Sequence, residues 1–226
     1  MNQRLTALIT GWTIVLMALA SAFVFGRAMP HFTLPNEAAS LMSIIQSEQK
    51  LYYAMLAGLL FIQFLDLLAS YTFFRFFLED NPQIARISAA LRFVYTLIFI
   101  WAGFFLFQNL STTPLSDAMI LSNFKTFHWI WTFGLIIFGV HIFLLGFLMK
   151  WHESIHPLLW IMALVAGLSY SLTSILKLIG FNPDILETLE LALALPMIFG
   201  ELALAIWLIA KGGKLSATKA LKASLA

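Results

Sequence analysis

Six long apolar stretches fill nearly the whole chain, and most carry just one or two ionisable residues deep inside. They run over about 5–26, 51–74, 87–107, 127–149, 157–179 and 184–209. Each is about 20 residues or longer, enough to cross a bilayer as a helix. Period-2 alternation is absent, which argues against a β-barrel. The pattern predicts an all-α polytopic membrane protein, a six-transmembrane-helix bundle forming a single membrane domain over 1–226.

Composition narrows the function classes. With 61% hydrophobic and 11% charged residues, the chain lies outside the range of soluble globular domains, and the lipid bilayer is its expected partner. The absence of cysteine excludes disulfides, thiolate metal sites and cysteine nucleophiles. A net charge of +2 gives no footprint for nucleic acid. An oligomer or a partner subunit is compatible with everything in the chain.

Orientation follows from basic residues near the span ends. Arg4, Arg75, Arg86, Lys150 and the lysines of a basic tail over 211–226 (Lys211, Lys214, Lys219 and Lys222) fall on one side. Arg27, Lys50, Lys125 and Lys177 fall on the other. The richer side is expected in the cytoplasm, with both termini inside. Met1–Arg4, an apolar core and Ala18-Leu19-Ala20 also resemble a signal peptide. Apolar sequence continues through Val24 and Phe25, however, which favours a retained helix.

Both long connections, 27–50 and 108–126, fall outside. In the first, Pro35-Asn36-Glu37 predicts a helix start, and Leu41, Ile44 and Ile45 recur at the spacing of an amphipathic helix lying over the outer face. In the second, Ser116-Asp117 predicts another short helix. Asn182-Pro183 reads as an N-cap with proline at the first helical position. No internal repeat is present, so an inverted-repeat transporter is not indicated.

A charge at the centre of a membrane helix costs roughly 2.5–3.5 kcal/mol on insertion scales. Asp66, Arg92, His141 and Glu201 are therefore expected to face one another rather than lipid. Counting from the basic residues at the ends of their spans, all four sit roughly 9–15 Å from the cytoplasmic end at about 1.5 Å per residue. Gln63 lies one turn before Asp66, and Tyr95 and Thr96 one turn after Arg92, so polar character continues on each face. Gly134, Gly139 and Gly200 suit close backbone approach. With His141 neutral, the charges of Asp66, Arg92 and Glu201 sum to −1; with it protonated, the set is neutral.

The expected roles are Asp66 and Glu201 as acceptors, Arg92 as holder of an anionic group or carboxylate, and His141 as the titrating member. A bland alternative is an ion-pair network that joins helices. A second stripe, Tyr170, Thr173, Ser174 and Lys177, shares one face of the fifth span, and Lys177 is placed to pair with Glu190 on the sixth. Tyr170 joins Asp66, Arg92, His141 and Glu201 in the candidate ligand-binding set, with Gln63, Tyr95 and Ser174 supporting it.

His152-Glu153-Ser154-Ile155-His156 fits the zinc pattern H-E-x-x-H. It falls in a tight turn, with His156 before Pro157, where helical geometry is disfavoured, so no metal site is expected there. Tyr52, Tyr53, Trp129, Trp151 and Trp207 read as aromatic belt anchors.

The run Phe64-Leu65-Asp66-Leu67-Leu68 with Tyr71, then Leu91-Arg92-Phe93 and Phe138-Gly139-Val140-His141 with Leu145-Gly146, carries a family likeness. Pro157 with Gly167, Tyr170 and Ser174 continues it, as does the run Gly200-Glu201-Leu202-Ala203-Leu204-Ala205-Ile206-Trp207-Leu208. In order and spacing these resemble a bacterial multi-pass membrane family known as domain of unknown function 4386, from about Gly11 to Gly212. Trp160 and Ile161 stand where that family has a small residue and leucine. The resemblance implies six spans in a bacterial cytoplasmic (inner) membrane and brings no activity or cofactor with it.

The leading expectation is a membrane protein that binds a small polar or lipid ligand, or conducts protons or ions, at a polar site in the cytoplasmic half. One alternative is an intramembrane enzyme acting on lipid, with His141 as base or metal ligand. The other is a non-catalytic accessory subunit whose buried charges fix helix register.

Overall fold

The computed structural model describes residues 2–33, 40–111 and 115–214. Seven helices carry the fold: α1 (Gln3–Thr33), α2 (Leu41–Ser47), α3 (Gln49–Phe77), α4 (Pro82–Phe107), α5 (Asp117–Trp151), α6 (Pro157–Leu178) and α7 (Pro183–Ala210). All but α2 are long and apolar enough to cross a membrane, six in total. The described residues contain no strand.

Helix ends follow local chemistry. Asn81 Oδ1 accepts from Ile84 N ahead of Pro82, and Asn182 Oδ1 accepts from Asp184 N and Ile185 N ahead of Pro183. Each pairs a capping side chain with a proline whose missing N–H costs nothing in the first turn. Most helices outrun the apolar windows by a few residues, because caps and not hydrophobicity end them.

The largest departure concerns α5. The short separate helix expected at Ser116-Asp117 is instead the first part of a 35-residue helix capped by Ser116. No glycine or proline interrupts 117–133, and Ile120, Phe124 and Phe127 stay buried at helical spacing, so nothing stops the helix there. At about 1.5 Å per residue it is roughly 50 Å long, well beyond a hydrocarbon core of about 30 Å. Its projecting end holds α2: Asp117 Oδ1 accepts from Ser40 Oγ at 2.7 Å and Met42 N at 3.1 Å. Leu41 and Ile45 form the buried face of α2. The helix start expected at Pro35-Asn36-Glu37 lies outside the described residues, as do Lys219 and Lys222.

The six spans form a closed ring. Each packs against its neighbours in chain order, and α7 closes on α1. Closure is tied by Arg4, whose guanidinium donates to the carbonyls of Leu208 (3.0 Å) and Gly212 (2.8 Å) at the end of α7. Arg4 therefore does more than bias orientation: it satisfies carbonyls that a helix C-terminus leaves open. Both described ends of the chain consequently lie on one face of the bundle.

The tightest seam joins α5 and α6. A Cβ built at Gly167 would lie 2.5 Å from Phe143 N and 2.7 Å from Gly139 O, so these backbones touch only because both positions are glycine. Gly134, in contrast, faces the side chains of Ile98 and Tyr95, and Gly200 makes ordinary contacts.

Two expected belt residues are core residues. Tyr52 is fully buried, its hydroxyl donating to Leu106 O at 2.8 Å and accepting from Asn109 Nδ2 at 3.0 Å. Trp207 packs edge-on against Phe76 and His152. A phenol whose hydroxyl is hydrogen-bonded inside the protein has no need of the interface. Tyr53, Trp129 and Trp151 are exposed on the outside of the ring.

Candidate functional site

Arg92 on α4 is 0% exposed, deep among the helices. Its Nε and Nη2 both donate to Asp66 Oδ1 on α3, at 3.0 and 2.7 Å. Nη2 also reaches Met17 Sδ on α1 at 3.7 Å, and Nη1 meets His141 Nε2 on α5 at 3.2 Å. The rings of Phe73 and Phe138 flank the guanidinium at 5.7 and 5.3 Å, adding cation–π contacts on desolvated rings. Four helices thus meet on one guanidinium.

That contact assigns the histidine tautomer. A guanidinium only donates, so His141 Nε2 accepts and Nδ1 carries the proton. Nδ1 then donates to Ser88 O at 2.8 Å, with Ser88 Oγ 2.9 Å away. Both ring nitrogens are engaged by protein groups in a neutral imidazole. Ser88 was not anticipated, although it stands one helical turn before Arg92 on the same face of α4.

Glu201 on α7 sits apart from that network. Tyr170 O–H on α6 donates to Glu201 Oε1 at 3.2 Å, and Phe138 packs between the two groups, edge-on to Tyr170 at 5.2 Å and 5.9 Å from His141. Glu201, Tyr170 and Asp66 line a central cavity of about 350 Å³ to which all six spans contribute. Its lining runs toward the face opposite the described chain ends, where Lys177 and Glu190 form an ion pair at 2.6 Å with both side chains well exposed. Arg92 and His141 do not line it.

The stripe on α6 lines this cavity along its length: Tyr170, Thr173, Ser174 and Lys177 all face it. Thr173 bonds back to Ser169 O at 2.8 Å, a self-satisfied hydroxyl. Ser174, 2% exposed, hydrogen-bonds to no other described residue. Tyr95 also lines the cavity, its hydroxyl accepting from Trp131 Nε1 at 3.3 Å. Gln63 does not; its Nε2 donates to Phe99 O at 3.1 Å and ties α3 to α4.

The H-E-x-x-H segment is not a helix. His152 ends α5 and its Nδ1 lies 3.0 Å from both carboxylate oxygens of Asp80, while His156 Nδ1 accepts from Leu158 N at 3.2 Å as the cap of α6. Among the described residues, no three His, Cys, Asp or Glu side chains converge for a metal ion.

Charge accounting marks one group. Among the described residues the ion pairs are Arg92–Asp66, His152–Asp80 and Lys177–Glu190. Glu201 has no basic partner at that range; its hydrogen bond comes from a phenol. Asp66 uses one carboxylate oxygen for both guanidinium donors, and its Oδ2 accepts no hydrogen bond among the described residues. The cavity thus presents the carboxylates of Glu201 and Asp66 as acceptors and the Ser174 hydroxyl, which both accepts and donates; of its other lining groups Lys177 is paired with Glu190, and His128 contributes an imidazole. Such a surface suits a cation, a proton or a hydrogen-bond donor, and opposes an anion.

The family described as Domain of unknown function (DUF4386) matches residues 9–212, a range that contains every residue of this site. An uncharacterised protein of Archaeoglobus fulgidus is 28% identical over 163 residues, covering 71% of this chain and 85% of its own length. The likeness therefore reaches an archaeon, beyond the bacterial family expected from the residues alone. No solved structure matches the chain.

Proposed function

The chain belongs to the DUF4386 family, and we propose that this multi-pass membrane protein binds a small polar ligand or a cation in its central cavity, with Glu201 as the holding group. The supporting observation is the carboxylate of Glu201, which lines a cavity of about 350 Å³ with a phenol hydroxyl as its hydrogen-bond donor. That volume lies within the range of about 300–1,000 Å³ typical of small-molecule sites. Asp66 presents its second oxygen as a further acceptor, Ser174 adds a hydroxyl, and Tyr170 orients Glu201. Basic residues concentrated at the end that carries Arg4, Arg75, Arg86 and Lys150 support a cytoplasmic location for that end, in a cytoplasmic membrane with 211–226 as a basic tail.

Arg92, His141 and Ser88 act on this reading as a frame. They hold Asp66 and fix the register of α1, α3, α4 and α5, the part of the site that fits a purely structural role.

Native mass spectrometry of the protein gently extracted from its own membrane tests the proposal. A bound small species that is lost in Glu201→Gln, while the variant keeps the wild-type melting transition, is the expected result. A bare wild-type chain, or a bound species indifferent to Glu201→Gln, contradicts it.

A further inference from the structure

Above Glu201, the wall of the cavity is aromatic. Phe25 stacks on Trp131 with centroids 4.5 Å apart and planes within 4°. The Trp131 indole donates to the Tyr95 hydroxyl at 3.3 Å, and the Tyr95 ring meets Phe138 at 4.8 Å. Phe138 meets Tyr170 at 5.2 Å, and Tyr170 donates to Glu201. A continuous chain of rings, each lining the cavity, thus leads to a carboxylate with no basic partner among the described residues.

Three ligand chemistries are separable on this surface. An anion would meet Glu201, Asp66 and Glu190, while Lys177 is already paired and Arg92 lies behind Asp66, outside the lining. A metal ion held by converging His, Asp or Glu side chains is not favoured, since among the described residues no three such side chains come together. An organic ammonium ion matches both halves of the cavity. Its charge meets Glu201, and its carbon-bound, weakly hydrated surface meets aromatic rings that attract cations through their quadrupole. An N–H, where present, reaches the unpartnered hydroxyl of Ser174 or Asp66 Oδ2.

We propose that the cavity recognises an organic ammonium ion, held by Glu201 within the aromatic wall of Phe25, Tyr95, Trp131, Phe138 and Tyr170. This rests on the reading of the Glu201 cavity as a ligand site. The ammonium group belongs either to a free amine or to a lipid headgroup.

Isothermal titration calorimetry with tetramethylammonium chloride, against sodium chloride as ionic control, tests it on the full chain in phosphatidylglycerol nanodiscs. Saturable binding is expected, weakened more than about tenfold by Glu201→Gln and roughly 3- to 30-fold by Trp131→Leu, with Trp131→Phe restoring much of the loss. Each variant is first shown to melt like wild type. Repeating the titration in phosphatidylethanolamine nanodiscs separates the sources. Unchanged affinity there supports a free amine, and a weakened apparent affinity supports the headgroup as the competing ligand. Glu201-dependent binding of sodium ions or protons, with no heat from tetramethylammonium, overturns the ammonium proposal and leaves the ligand site standing. No Glu201-dependent binding of any of these probes overturns the ammonium proposal and the cation reading of the site, and native mass spectrometry that finds no species lost in Glu201→Gln overturns the ligand site as well.

Discussion

Arg92 Nε and Nη2 converge on one oxygen of Asp66, Oδ1, at 3.0 and 2.7 Å, instead of bridging both carboxylate oxygens side by side. The one-sided geometry leaves Oδ2 without a described partner in a residue that also lines the cavity. Asp66 thus connects two environments, a paired interior that fixes the helices and a cavity that offers acceptors.

The pairing predicts strong non-additivity. Arg92→Met strands the Asp66 carboxylate and removes the donor to His141, so it should destabilise by about 3–5 kcal/mol. Asp66→Leu combined with Arg92→Met removes both charges and should recover most of that loss. Unfolding titrations of the two single variants and the double variant in mixed micelles check this; losses that simply add would contradict it.

The α5–α6 seam predicts a steric cost from a single methyl group. A Cβ at Gly167 falls against the backbone of α5, which cannot rotate away, so Gly167→Ala should lower stability by about 1–3 kcal/mol. Gly26→Ala meets nothing within 4 Å and should leave stability unchanged or slightly raised. Thermal melts of the two variants side by side decide it.

The loop histidines predict indifference to metal. Because His152 is engaged by Asp80 and His156 caps α6, zinc or a chelator should not shift the melting temperature. Asp80→Ala should lower stability by about 1 kcal/mol through loss of the His152 contact. A zinc-dependent stabilisation abolished by His152→Ala would contradict this assignment.

Much of the bundle was legible because a membrane allows few solutions. Apolar length and the cost of lone charges define six helices and point to Asp66, Arg92, His141 and Glu201. Their common depth suggested that the four face one another; Asp66, Arg92 and His141 meet, whereas Glu201 bonds to Tyr170 instead, because depth carries no azimuth. It could not separate Arg92 and His141, which are enclosed, from Asp66 and Glu201, which meet the cavity. The stripe on α6 was visible because 3.6-residue periodicity does encode azimuth. The aromatic wall was not, since Phe25 and Trp131 look in sequence like any other membrane residue, and their stacking depends on how α1 packs near α5. Tyr52 and Trp207 misled for the same reason: position near a span end does not reveal whether a ring points to lipid or core.

Access to the cavity is the central claim, and the natural absence of cysteine makes it directly measurable. Ser174→Cys and Ser88→Cys place single thiols at two buried positions, 3% exposed or less, of which Ser174 alone lines the cavity. In oriented vesicles, a small membrane-impermeant methanethiosulfonate should modify Ser174→Cys from the side opposite the chain ends and leave Ser88→Cys unmodified. Failure of Ser174→Cys to react, or its reaction from the side of the chain ends, would contradict the account.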